Sequence, residues 1–135
     1  MRILSIDYGK KRTGLAVTDP LQLIASGLTT VQTQELIPYL KKYMTQEPVE
    51  LFVIGEPKNL DGEDTHGTAL VTECIRILQK NFPDIPVKKM DERFTSKMAF
   101  RSLIDSGVKK KDRQNKALVD EVSACIILQE YLQFR

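Results

Sequence analysis

Two strand-like runs stand almost back to back at the start of the chain, and no other feature narrows the fold as much. Residues 2–7, ending in Asp7, and residues 12–18, ending in Thr18, are separated only by Tyr8, Gly9, Lys10 and Lys11. So short a link suits an antiparallel hairpin, since a parallel pair needs a crossover of a dozen or more residues. A weaker third run at about 23–31, interrupted by Gly27, extends the meander. The period then changes. Residues 33–46 place Leu36, Ile37, Leu40 and Tyr43/Met44 at helical spacing, and residues 50–55 form the short apolar run of a buried parallel strand. A second helix is predicted over 67–81, a strand over about 86–91, a helix from an N-capping Thr95 to about Ser106, and a last helix over 117–132.

A meander followed by helix-linked strands predicts an α/β domain with a mixed five-stranded sheet, three strands antiparallel and then two parallel, flanked by helices. That is the element order of the RNase H-like fold. The length, 135 residues, suits one domain over residues 1–135. No apolar run approaches the roughly 18–20 residues of a membrane span, and the start shows no signal-peptide pattern, so a cytoplasmic location is expected. Cys74 and Cys125 fall in helix-like apolar stretches and are read as reduced core thiols. With His66 the one histidine, imidazole-based zinc chemistry has little support. The net charge of +2 is unevenly spread: residues 88–116 hold ten Lys and Arg against four acids, a net +6, leaving −4 elsewhere. Such asymmetry points to an anionic partner, with nucleic acid foremost.

Ligands of open α/β sheets gather at the carboxyl ends of the strands. Asp7 ends the first strand, Glu56 follows the strand ending at Gly55, and Asp91-Glu92 ends the next. Asp120 heads a helical stripe of Ala124, Ile127, Leu128 and Tyr131, and a carboxylate on a packing face needs a partner. Carboxylates brought together repel unless a cation joins them, and an all-oxygen donor set suits Mg²⁺ or Mn²⁺. Two such ions about 3.5–4 Å apart support phosphodiester hydrolysis. Gly9 lets the first turn approach a ligand closely, and Lys10, Lys11 and Arg12 can meet phosphate oxygens.

Four segments, in order, resemble one family. They are Asp7-Tyr8-Gly9-Lys10-Lys11-Arg12-Thr13-Gly14-Leu15-Ala16; Gly55-Glu56-Pro57-Lys58-Asn59-Leu60-Asp61-Gly62; Asp91-Glu92-Arg93-Phe94-Thr95-Ser96; and Lys116 to Gln129. Together they are similar to the YqgF/RuvX-like pre-16S rRNA nucleases, also described as Holliday junction resolvases for their likeness to RuvC. The resemblance runs from end to end. It implies an RNase H-like fold, a cytoplasmic location and trimming of the 5′ end of precursor 16S rRNA. It makes Asp7, Glu92 and Asp120 the catalytic, metal-binding acids, with Asp91 beside them. Arg12 and Arg93 become phosphate-facing or site-ordering residues, whose plainer role is pairing with those acids. Glu56 departs from the family pattern, which has an apolar residue there; it is either an extra metal ligand or a residue facing solvent or Lys58.

The expected nucleic-acid surface comprises Lys10, Lys11, Arg12, Arg93, Lys97, Arg101, Lys109, Lys110, Lys111, Arg113 and Lys116. Its partner is expected to be precursor rRNA or a ribosomal particle, with branched DNA as the alternative, and the protein a monomer or weak homodimer away from membranes. Two rivals differ in class. An actin-like or sugar-kinase-like phosphotransferase shares the Asp-x-Gly hairpin but needs two such domains. A non-catalytic RNA-binding assembly factor would have no need of the acids.

Overall fold

A computed structural model of the chain describes residues 1–57, 66–92 and 116–135. The elements are β1 (Arg2–Tyr8), β2 (Arg12–Thr18), β3 (Ala25–Gln32), a 3-10 turn (Thr33–Glu35), α1 (Leu36–Met44), β4 (Val49–Pro57), α2 (His66–Asn81), β5 (Val87–Glu92) and α3 (Lys116–Phe134). The strands form one sheet in the order β3-β2-β1-β4-β5. β1 pairs antiparallel with β2, and β2 with β3, while β1–β4 and β4–β5 are parallel. The expected mixed sheet, and with it the RNase H-like order, is what forms.

Strand alternation divides the core in two. Leu4 and Ile6 of β1, Leu15 and Val17 of β2, and Phe52 and Ile54 of β4 pack with Leu36 and Leu40 of α1 and with Val71, Cys74 and Leu78 of α2. On the other face Ile3, Ala16, Leu51 and Val53 pack with Ala124, Ile127 and Leu128 of α3. β4 is buried on both faces, which explains its uninterrupted apolar run. Fully burying a side chain such as Phe52 or Leu40 stabilises by about 1.5–3 kcal/mol.

Three boundaries differ from the sequence reading. β3 begins at Ala25, two residues later than expected. The Asp19 carboxylate accepts hydrogen bonds from the backbone N–H groups of Leu21, Leu23 and Ile24, so residues 19–24 close a tight turn instead of continuing the strand. α1 starts at Leu36, behind the 3-10 turn, and tolerates Pro38 because the missing N–H falls in the first turn. β4 runs on to Pro57, so Glu56 lies within the strand and is buried rather than facing solvent. The expected helix from Thr95 to Ser106 lies outside the described residues.

Candidate active site

The face that carries α3 is lined with small residues. Ser5 donates its hydroxyl to the Ala124 carbonyl at 2.6 Å, inside the protein. Ala16 and Ala124 are fully buried in the same layer. Gly14 is the tightest point. A β-carbon built there would overlap the backbone carbonyl of Asp120 and crowd the Glu121 nitrogen, at 3.0 Å. Only the hydrogen of glycine lets the helix backbone come down onto β2 at this position.

Gly14 is also the cross-strand partner of Asp7. Asp7 shares strand parity with Ile3 and Ser5, both of which meet α3. Close seating of the helix therefore brings Asp120 over the strand position beside Asp7. The Ser5–Ala124 bond fixes the same juxtaposition one helical turn on, since Ala124 follows Asp120 by four residues and Ser5 precedes Asp7 by two. Both aspartates are partly buried.

Arg12 completes this corner. Its Nε donates to Asp120 Oδ2 at 2.9 Å, with the two side chains 39% and 25% exposed, a half-screened pair rather than a sealed one. The turn that carries Arg12 is held from behind. Thr33 donates its hydroxyl to the Gly9 carbonyl at 2.6 Å, shares a 2.9 Å hydrogen bond with the Thr13 hydroxyl, and donates its N–H to the Lys11 carbonyl. Lys10 and Lys11 are exposed on this turn. Neither Gly14 as the helix seat nor Thr33 as the turn's anchor emerged from the sequence reading. Gly14 stood in the first motif, and the signal was its pairing with Ala16 two residues on; nothing local marks Thr33.

The remaining acids separate. Glu92 ends β5, in backbone register with Pro57, and Asp91 is in register with Glu56. Their side chains, and that of Lys116, lie outside the described residues, as do Arg93, Lys97, Arg101, Lys109, Lys110, Lys111 and Arg113. Glu56 has the parity of Phe52 and Ile54, which face α1 and α2, so β4 turns it away from the face of Asp7. Lys89 Nζ lies 3.3 Å from its Oε2. Lys88 stands 5.8 Å from the centre of the Tyr131 ring. Two cations of the basic segment are thus engaged within the protein. Among the described residues no group of three His, Cys, Asp or Glu stands close enough to hold a metal, and the third acid would have to come from Glu92.

A cavity of about 810 Å³ opens on the opposite side of the Lys10–Arg12 turn, bounded by Tyr8, Lys10, Leu36, Ile37, Cys74 and neighbouring residues. It does not include Asp7 or Asp120. Burial raises the pKa of Tyr8 there, with the charges of Cys74 and Glu73 adding to the effect. Burial also pushes the Cys74 thiol up to about 12, and Cys125 upward, so neither is a poised nucleophile.

The strand order and the acid-bearing α3 face define an RNase H-like domain of the RuvC kind. RuvC from Thermus thermophilus in complex with a Holliday junction substrate superposes with a TM-score of 0.56 at 14% identity, covering 99% of this chain and 97% of that one. RuvC solved without that description gives 0.55 at 15% identity, over 98% and 96%. More narrowly, the chain belongs to the RuvX family, described as Holliday junction resolvase, which matches residues 1–134. It is 56% identical over 131 residues to a protein of Flavobacterium psychrophilum, covering 97% of this chain and 96% of that protein. A relative from Phocaeicola vulgatus is 55% identical over 132 residues, covering 98% and 95%. Both carry the name "Putative pre-16S rRNA nuclease". Among the described residues no helix is long and apolar enough to cross a membrane.

Proposed function

We propose that this protein is a metal-dependent nuclease that hydrolyses phosphodiester bonds in precursor 16S rRNA during maturation of its 5′ end, in the cytoplasm, as a single domain over residues 1–135. The observation that carries the chemistry is the seating of Asp120 over Gly14, the strand partner of Asp7. Two carboxylates from the two ends of the chain meet on one face, and Glu92 at the end of β5 supplies the third, with Asp91 beside it. The RNA substrate rests on relatives more than 50% identical over nearly their whole length.

The donor set fits a hard divalent cation, because carboxylate oxygens are what Mg²⁺ and Mn²⁺ prefer. When bound, such ions supply activation of water and stabilisation of charge on the leaving oxygen. Asp7, Glu92 and Asp120 hold that charge in place. Glu56 is a poor fourth ligand, since it shares strand parity with the opposite face and Lys89 stands beside it. Arg12 keeps Asp120 ionised and oriented, and its remaining guanidinium N–H groups can meet a phosphate oxygen. Lys10 and Lys11 extend that contact along the backbone, as do Arg93, Lys97, Arg101, Lys109, Lys110, Lys111, Arg113 and Lys116. In the reaction a water oxygen adds to phosphorus, the bond to the bridging oxygen breaks, and that oxygen takes up a proton.

Branched DNA is the second reading, favoured by the description of the family. One experiment separates the two. Wild type, Asp7→Asn and Asp120→Asn are incubated with a 5′-extended rRNA fragment and with a four-way DNA junction, in Mg²⁺, Mn²⁺ or EDTA. RNA cleavage that needs the metal and falls to background in both variants is expected. Equal cleavage by variant and wild type would remove the site assignment, and junction cutting without RNA cleavage would move the substrate to DNA.

A further inference from the structure

The two outer strands of the sheet are guarded differently. β5 carries Lys88, Lys89, Asp91 and Glu92 within six residues, the kind of charge with which sheet edges resist pairing. β3, at the other edge, has neither charge nor proline. From Pro20 to Gln34 no Lys, Arg, Asp, Glu or His occurs, in a chain that is 28% charged. Ser26 and Gly27 are exposed on the strand.

The tip that leads into β3 adds apolar surface. Leu21, Leu23 and Ile24 are 75%, 70% and 67% exposed, and Met1 and Phe134 are exposed near them. These side chains are presented on a fixed frame. Besides the three N–H bonds to Asp19, Gln22 sits at φ 59 and donates its side-chain amide to the Met1 carbonyl at 2.9 Å. Arg135 donates to the Gln22 side-chain oxygen at 2.8 Å and to its carbonyl at 3.2 Å. The charges nearby, Asp19, Glu50, Arg135 and the amino terminus, are engaged with this frame or with one another. The chain start, the tip and the chain end thus form one surface, at the end of β2 remote from the Arg12 turn.

We propose that β3 and this tip are a homodimer interface, in which a second copy adds its own β3 antiparallel to the first across a two-fold axis. Antiparallel self-pairing lays a segment against its own reverse, so any charge near the axis would meet its like. A run of residues without charge avoids that repulsion, whereas β5 would bring Lys88 and Lys89 against their copies. Each tip then lies beside the far, equally uncharged end of the other β3, where Leu23 and Ile24 can be covered. A groove of about 200 Å³ beside Gly27, lined by Val122, Cys125 and Gln129 of α3 with Glu121 at its rim, flanks the same edge. The inference is independent of which nucleic acid is cut.

Sedimentation equilibrium of the full chain tests it, with Ser26→Lys on the strand, Leu23→Lys on the tip and Lys88→Glu on the opposite edge as a control. A concentration-dependent dimer is expected for wild type and the control, with the dissociation constant raised about tenfold or more in both edge variants. Thermal melts monitored by circular dichroism report whether each variant is folded, and Leu23→Lys, outside the ladder, remains informative if Ser26→Lys does not fold. A wild type that stays monomeric up to about 100 µM, or a dimer that ignores both substitutions, would overturn the proposal. So would dissociation by the β5 control.

Discussion

Leu4, Ile6, Leu15, Phe52 and Ile54 meet α1 and α2 through large side chains, while Ser5, Gly14 and Ala16 meet α3 with almost none. The first face holds its helices off the sheet with a thick layer of hydrocarbon, and its contribution is stability. The second lets one helix descend until backbone touches backbone, giving up buried apolar volume at that point. What this gains is position: Asp120 arrives at the strand pair that carries Asp7. A core and a catalytic site can share one sheet because side-chain alternation keeps their demands apart.

The contrast can be broken most forcefully from the large-residue side. Phe52→Ala should cost about 3–5 kcal/mol in urea denaturation, while cleavage per folded molecule stays near wild type. A matching loss of cleavage would mean that the two faces are not separable. Gly14→Ala should show the converse, destabilising by about 1–3 kcal/mol through overpacking yet lowering the cleavage rate on the order of 10²-fold through misplacement of Asp120. Wild-type cleavage by that variant would show that helix seating does not position the acid. Ser5→Ala, removing one hydrogen bond on the same face, should cost about 0.5–1.5 kcal/mol, with a smaller fall in rate.

The thiols sharpen the distinction further, one lying on each face. Cys74, 1% exposed with its pKa pushed up to about 12, should react with a thiol reagent at neutral pH far more slowly than half-buried Cys125. Equal rates would reveal opening of the α2 side. The smallest effect lies at the tip, away from both faces. Backbone N–H groups of Ile24, Leu23 and Leu21 hold the pKa of Asp19 below its ordinary 3.8. The stabilisation is therefore complete above that value and lost as pH falls through the lower folded-state pKa. The melting difference between wild type and Asp19→Ala should vanish at that acidic end, and a difference that persists there would exclude the charged carboxylate as its source.

Much of the fold was legible because it is written locally. β1 and β2 agree with the sequence reading to within a residue, since their apolar alternation is bounded by Gly9 and the charged turn. The start of β3 was misread because Leu23 and Ile24 look like strand residues until Asp19 captures their N–H groups. Glu56 was harder. β4 is apolar on both faces, so its alternation carries no contrast to say which way an acid at its end will turn. Asp120 was flagged by its apolar stripe, but its 2.9 Å partner Arg12 stands 108 residues earlier and was only one of several roles open to that arginine.

By itself, the sequence determined the class of sheet, the order of its elements, the acids at its strand ends and the membership of the chain in its family. These follow from short-range patterns: period, turn chemistry and motifs in a fixed order. Only the tertiary structure decided which acids meet. The pairing of Asp7 with Gly14 depends on strand register, and the descent of Asp120 onto Gly14 depends on a helix packing across the sheet from the far end of the chain. Register and packing distance are properties of contacts between distant segments, and no local pattern encodes them.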